Sequence, residues 1–333
     1  MKSIPILNIC IPCYNRAHHV VPYVESLLKI TSDKFIISVR DNCSTDDTFK
    51  LLSKIHDERF FYHRCDKMVH SYENLTASLY SNNAQYVILN LDKDEITTDY
   101  LLDFIFYLEK IKPICGYLAF TDSSTKNKVF VYDKGIESAL KVSYLGKHPT
   151  GYYFKSEEYN KLLQDSYFIE IFKSFPFPYE IICAHLSIIG QVMVYDYPVV
   201  IHETPSNAIV EKSHTYNSAN FYGNFDKRLL EFEIYFKDIC RLSISVKERE
   251  LLLKNVFYKG LFLSTFGYKN SYKDESVIAH YNLQKKNISK IELIYIAIQF
   301  RRRFNNIIKN NSIKYSHNLL CTSYLKWVIH LIK

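Results

Sequence analysis

The chain has 333 residues, 47% apolar and 23% charged, with a net charge of +7. That is enough for one large or two modest domains with a real core, and it excludes a disordered or low-complexity chain. Glycine is scarce beside tyrosine, 8 against 28, and no internal period is visible, which excludes a linker protein and a repeat array.

The first third alternates. Residues 7–11 are predicted as a strand and 20–30 as a helix, with Val21, Val24, Leu27 and Leu28 on one face. Residues 35–39 form a second predicted strand. Ser44-Thr45-Asp46-Asp47 is a helix-capping sequence ahead of an amphipathic segment over 49–55. A third strand is expected over 59–63, a helix over 72–82 and a fourth strand over 86–91. Strand and helix alternating at this spacing argue for βαβ units and a parallel sheet.

Further on, residues 100–111 read as a helix stopped by Pro113. Strands are expected over 115–134, around a turn at 121–124. Another strand is expected over 151–154, before a helix over 156–163. Residues 175–180 form a proline-braked loop that opens an apolar helix over 181–190, and strands follow at 192–195 and 199–201. The polar stretch 202–215 is long enough for a functional loop. From residue 225 the pattern is mostly helical. Two regions are therefore expected: an α/β domain over 1–215 and a helical, basic region over 216–333.

Met1-Lys2-Ser3-Ile4-Pro5 leads straight into the first strand, without the long apolar core of a signal peptide. No stretch reaches the length of a membrane-spanning helix. A cytoplasmic protein is expected. Of the eight cysteines, Cys10 and Cys13 make a CxxC pair. Redox pairs of that kind open a helix, whereas Cys10 lies inside a strand pattern, and no second CxxC completes a zinc site. Free thiols in a reducing compartment are expected.

Polar clusters follow strands one, two and four: Pro12-Cys13-Tyr14-Asn15-Arg16, Asp41-Asn42-Cys43-Ser44 and Asp92-Lys93-Asp94. In parallel sheets ligands bind beyond the carboxyl ends of the strands, and all three clusters fall at that edge. Asp92 and Asp94 stand two residues apart after the apolar run 86–89 and repel one another unless a cation separates them. A hard divalent ion with oxygen ligands, Mg²⁺ or Mn²⁺, is one answer. A polar turn closing the strand is the other.

In this order, Ile11-Pro12-Cys13-Tyr14-Asn15-Arg16, Val39-Arg40-Asp41-Asn42-Cys43-Ser44-Thr45-Asp46-Asp47-Thr48 and Leu91-Asp92-Lys93-Asp94-Glu95 resemble the motifs of the family 2 glycosyltransferases. The resemblance spans roughly residues 6–205 and is nearest to bacterial enzymes that build O-antigen, lipopolysaccharide or capsule repeat units. It implies a GT-A fold, a Rossmann-like mixed sheet flanked by helices, with the C-terminal helices as an extension. It also implies inverting, metal-dependent transfer of a hexose-class sugar from a nucleotide-sugar donor. Pro12, Tyr14, Asn15 and Arg16 would border the nucleotide, Asp41 would accept from the base, and Asn74 would face the donor. Asp92 would hold the ribose and the cation, and Asp94 would be the main metal ligand. Glu180 would be the general base, although the family's usual Glu-Asp pair is absent around it. Lys93 departs from the small or acidic residue usual there, and Met68-Val69-His70-Ser71 replaces a glycine-rich stretch. His202, Glu203 and His214 could each complete the metal shell. A nucleotidyltransferase would want glycines after the first strand, and a non-catalytic nucleotide-sugar-binding homologue is the other alternative.

Acceptors in such pathways are saccharides on a polyprenyl diphosphate, so a site on the inner face of the cell membrane is expected. Residues 288–308 mix apolar Ile291, Leu293, Ile294, Ile296, Ala297, Ile298 and Phe300 with Lys290, Arg301, Arg302, Arg303 and Lys309. A second basic segment, 324–332, carries the single tryptophan, Trp327. Basic amphipathic helices of this kind lie on anionic membranes, or else cap a neighbouring domain. No nucleic-acid-binding motif accompanies the basic tail, and no nucleic-acid partner is expected.

Overall fold

The computed structural model describes residues 4–80, 83–121, 123, 125–202, 221 and 223–310. The chain divides into two compact units, Met1–Ser213 and His214–Lys333.

The first unit is an α/β sandwich built on a nine-stranded mixed sheet. Strands β1 (Leu7–Cys13), β2 (Phe35–Asp41), β3 (Phe60–Arg64) and β4 (Tyr86–Leu89) run parallel in the order β3-β2-β1-β4. Helices α1 (Ala17–Leu28), α2 (Thr48–Leu52) and α3 (Ser71–Ser78) connect them. β1 is buried along its whole length, as expected of a central strand with both faces covered. Proline is rare in such a strand because it lacks an N–H. Pro12 sits beyond Cys10, where pairing with β4 has already ended.

The second half of the sheet mixes directions. β5 (Asp94–Ile96) precedes α4 (Thr98–Ile111), which stops at Lys112 in a left-handed cap followed by Pro113. β6 (Cys115–Phe120) and β7 (Lys128–Tyr132) follow, then α5 (Ile136–Val142), β8 (Tyr152–Lys155), α6 (Ser156–Leu162), α7 (Ser166–Ser174), α8 (Pro178–Ile189) and β9 (Val192–His202). β8 lies antiparallel between β4 and β6, and β9 pairs with β6, β5 and β7. The two short strands expected after α8 are one strand. Its register against β6 slips on either side of Ala119, which lets a segment containing Pro198 stay paired.

Three elements were not expected. α5 and α7 are short helices, and β5 begins at Asp94, so the acidic cluster is not wholly a loop. Asp94 is the first residue of a strand, in register with His202 at the end of β9.

A tyrosine bridge fixes the middle of the sheet. The Tyr153 hydroxyl on β8 donates to the Met193 carbonyl on β9 at 2.7 Å, crossing β6 at Gly116. A Cβ on Gly116 would lie 1.8 Å from that carbonyl oxygen and 2.6 Å from the hydroxyl. Gly116→Ala is therefore expected to destabilise the first unit by about 1–3 kcal/mol, read as a lower midpoint in thermal unfolding.

The second unit is helical: α9 (Phe225–Arg241), α10 (Val246–Phe262), a π-turn over Leu263–Gly267, α11 (Tyr268–Ser271), α12 (Glu275–Tyr281) and α13 (Lys290–Asn310). Ser245 and Glu248 close a reciprocal capping box at the start of α10. The core is aromatic, with Phe300 and Phe304 of α13 packed against Phe236 and Phe257. This narrows the membrane-face expectation for residues 288–308 to the residues of α13 that stay exposed. Leu293, Ile296, Ala297 and Phe300 are buried inside the unit and cannot face a bilayer. No helix among the described residues is long and apolar enough to cross a membrane. Trp327 lies outside the described residues.

Candidate active site

The loops after β1, β2 and β4 meet at the carboxyl edge of the parallel strands and are tied to each other by side chains. Tyr14 N–H donates to Asp92 Oδ2 at 3.0 Å, joining the first loop to the third. Asn15, held at φ 52°, donates from its N–H to Ser44 Oγ at 2.9 Å and accepts from Thr45 N–H at 2.7 Å. Asn commonly takes this left-handed conformation because its short side chain bonds locally. Ala17 N–H donates to Asp46 Oδ2 at 3.0 Å. Arg16, the residue ahead of α1, is buried.

Asp41 is fully buried at the end of β2. It accepts from Ser44 N–H at 2.8 Å, from the Ser44 hydroxyl and from Tyr62 OH at 2.6 Å. Its carboxylate thus organises the second loop. Asn74 on α3 is buried behind this loop, its amide 3.4 Å from the Arg40 carbonyl. Asn42 closes a two-way amide pair with the backbone of Val69. That pair fixes the segment that stands where a glycine-rich stretch was expected.

The acidic turn is shaped from behind by Asn90 and Tyr23. Asn90 is fully buried, and its amide donates to the carbonyls of Leu91 and Asp94. Tyr23 OH donates to Asn90 Oδ1 at 3.1 Å and accepts from Ile96 N–H at 2.9 Å. Asp94 is buried, and its Oδ2 accepts from the Thr150 hydroxyl and lies 3.5 Å from His148 Nδ1. Asp92 and Lys93 are partly exposed.

The edge is electronegative. Burial, and then the charges of Asp92, Asp41 and Asp46, push the Cys13 thiol well up. Burial likewise raises the Cys10 thiol. Neither has thiolate character, and the cysteines among the described residues are all free. For Asp46, partial burial opposes the charge. Hydrogen bonds from the Thr48 hydroxyl and from the N–H groups of Ala17 and Thr48 outweigh it and hold the carboxyl below its ordinary 3.8. A carboxyl lowered by folding stabilises the native state fully above its ordinary value and loses that contribution as pH falls through the lowered one. Asp46→Asn is therefore expected to flatten the acid limb of the stability curve below about pH 4. Thermal midpoints of both proteins from pH 6 to pH 3 check this.

Glu180 lies in the first turn of α8 and is fully buried. Its Oε2 accepts from Gly146 N–H at 3.0 Å, and its Oε1 from Lys147 N–H at 2.7 Å and Tyr152 OH at 3.3 Å. Both oxygens are engaged with the chain itself. The carboxylate pins the turn that leads to His148 and Thr150, which meet the Asp94 carboxylate. Tyr179 OH and the Lys147 ammonium, 3.4 Å over the Tyr117 ring, hold the same turn.

The structure therefore brings Tyr14, Asn15, Asp41, Asp92 and Asp94 to one edge. Glu180 belongs to a neighbouring clamp. Among the described residues no group of three His, Cys, Asp or Glu side chains converges as a metal cage. Two carboxylates nevertheless fit Mg²⁺ or Mn²⁺ when substrate phosphates complete the shell. Glu203 and His214 lie outside the described residues.

The family model for glycosyl transferase family 2 matches residues 8–181, from β1 into α8. The chain belongs to that family. It is a glycosyltransferase, and its mixed sheet with flanking helices is the GT-A fold. Among solved structures, TarS from S. aureus, residues 1–349, in complex with UDP-GlcNAc is similar with a TM-score of 0.60 at 12% identity. The alignment covers 94% of this chain and 93% of that one. The mannosyltransferase PcManGT from Pyrobaculum calidifontis, in complex with GDP-Man and Mn²⁺, gives a TM-score of 0.51 at 11% identity. There the coverage is 99% of this chain and 85% of the other. No relative by sequence is found among curated proteins.

Sequence reasoning missed four residues of this glycosyltransferase that shape the acidic turn: Tyr23, Asn90, His148 and Thr150. Asn90 carried a local signal, a polar residue between an apolar strand and an acidic pair. Thr150 and His148 carried none. They reach Asp94 only because β8 runs antiparallel to β4, which brings Gly151 N–H onto the Leu89 carbonyl and Thr150 Oγ1 onto Leu91 N–H.

Proposed function

We propose that the enzyme is an inverting, divalent-metal-dependent glycosyltransferase. It moves a sugar from a nucleotide-sugar donor to a polyprenyl-diphosphate-linked saccharide, at the inner face of the cell membrane, in assembly of a bacterial surface polysaccharide. The observation that carries the donor half is the hydrogen bond between Tyr14 N–H and Asp92, which joins the nucleotide-side loop to the acidic turn. The ligands bound by the two structural neighbours, UDP-GlcNAc and GDP-Man with Mn²⁺, are of the same class.

On this reading Pro12, Tyr14, Asn15 and Arg16 line the base and ribose side, with Asp41 and Asn74 supporting that wall. Asp92 and Asp94 hold Mg²⁺ or Mn²⁺. When bound, the cation neutralises charge growing on the leaving diphosphate. The chain's own part is orientation. Asp92 is fixed by a backbone N–H and Asp94 by the Thr150 hydroxyl, so neither carboxylate needs ordering when the donor arrives. Glu180 is fully buried and already accepts from the N–H groups of Gly146 and Lys147 and from Tyr152 OH. We read it as the pin of that turn, a positioning residue.

The basic tail, with ten Lys and Arg beyond residue 284 against Glu292 alone, supports an acceptor held at an anionic surface. A mass-tagged transfer assay decides the function. A panel of nucleotide sugars is offered with a polyprenyl-diphosphate saccharide, with Mn²⁺ and with a chelator. Metal-dependent transfer from one donor is expected. No transfer from any donor would sink the proposal.

A further inference from the structure

Helix α13 has two apolar faces, and only one is used inside the unit. Leu293, Ile296, Phe300, Phe304 and Ile307 point inward and are buried. On the opposite side Ile291, Tyr295 and Ile298 follow one another at intervals of four and three, with 81%, 55% and 45% of their surface exposed. Single exposed apolar residues need no explanation, but three in line on one helix face do. Continued at the same spacing, this line reaches Arg302 and Lys309, both exposed. The outward face is thus apolar in its first two turns and basic in its last two.

Among the described residues no acid pairs with Arg302 or Lys309. The helix holds five basic residues and one acid, Glu292, which pairs with Lys286 on the flank at 2.7 Å. Arg303, also on the flank, is tied to Glu233 at 3.0 Å. Neither acid lies on the outward line.

We propose that the outward face of α13, Ile291, Tyr295 and Ile298 followed by Arg302 and Lys309, docks on an anionic lipid surface with the helix lying in its plane. The apolar part extends about 10 Å along the axis, enough to enter the headgroup boundary and far too short to span it. Tyr295 offers the apolar body and polar tip that suit that boundary. A second copy of the chain fits less well. Pairing two such faces side by side would oppose basic to basic, and pairing them head to tail would set arginine and lysine against isoleucine. The inference rests on the proposed membrane-borne acceptor for its purpose, but its geometry stands on α13 alone.

The test uses the full chain and acceptor-free vesicles. Co-sedimentation is measured with phosphatidylglycerol–phosphatidylcholine vesicles and with phosphatidylcholine alone, at low and high salt. Binding is expected to the anionic vesicles and to weaken with salt. Ile291→Ser with Ile298→Ser, and separately Arg302→Glu with Lys309→Glu, should each lower anionic-vesicle affinity at least about tenfold. Both should leave thermal midpoints and turnover on a water-soluble acceptor unchanged. Undiminished vesicle binding by both variants would overturn the proposal. So would a dimer that these variants convert to monomer, since the face would then belong to a second copy. Vesicle binding lost in both variants, with no transfer by wild type to any acceptor, would support the face and defeat only the functional reading.

Discussion

Asp94→Asn is expected to lower turnover at least about 100-fold while leaving the fold intact. The reasoning starts from what the substitution keeps. Asparagine has nearly the same shape, and the Thr150 hydroxyl can still donate to its remaining oxygen. The backbone carbonyl that Asn90 holds is untouched. What disappears is one negative charge at the turn proposed to hold the cation. The thermal shift produced by Mn²⁺ with a nucleoside diphosphate should disappear with it. Thr150→Val keeps the charge and removes the clamp, so a smaller loss, about tenfold, is expected. Turnover at saturating donor and thermal midpoints with and without Mn²⁺ measure both. Wild-type turnover in Asp94→Asn would remove this residue from the chemistry.

Glu180→Gln is expected to lose activity and stability together. The two carboxylate oxygens accept from two successive backbone N–H groups, one each, and in this geometry an amide would turn its NH₂ to one of those donors. One part-buried N–H is then left without an acceptor, at a cost of up to about 1–3 kcal/mol. That lowers the thermal midpoint by several degrees in a unit of this size, on the order of 2–4 °C per kcal/mol. The turn carrying His148 and Thr150 loosens, and Asp94 loses its orientation. Melting curves and turnover on one preparation discriminate the roles. A protein as stable as wild type but inactive would restore Glu180 as the base. A destabilised one supports the pin.

The parallel half of the sheet was legible because its strands are short apolar runs separated by helices, and local spacing encodes both. The three polar clusters were legible for the same reason, each following a strand directly. The rest of the site depends on contacts distant in sequence. Thr150 meets Asp94 across an antiparallel pairing that no local pattern announces. β5 has only three residues, so its alternation could not show, and Asp94 was read as loop. Asp41 and Glu180 were recognised as important carboxylates, but their partners Tyr62, Gly146 and Lys147 lie at the far end of folded connections. In α13 the apolar residues were named from the sequence without being divided between faces. Periodicity over 21 residues separates two faces only once packing shows which is covered.

The hydrogen bonds within and between the loops after β1, β2 and β4 have a consequence for affinity. Five consecutive-loop amides, those of Tyr14, Asn15, Ala17, Ser44 and Thr45, already have side-chain acceptors before any substrate arrives. Ordering one loop residue on binding would cost on the order of 1–2 kcal/mol. In the donor site proposed here, a wall that is already wired avoids most of that cost, so more of each donor contact is retained as binding free energy. Discrimination between donors then rests on the fit of a rigid wall, and a donor with the wrong shape gains little from loop adjustment.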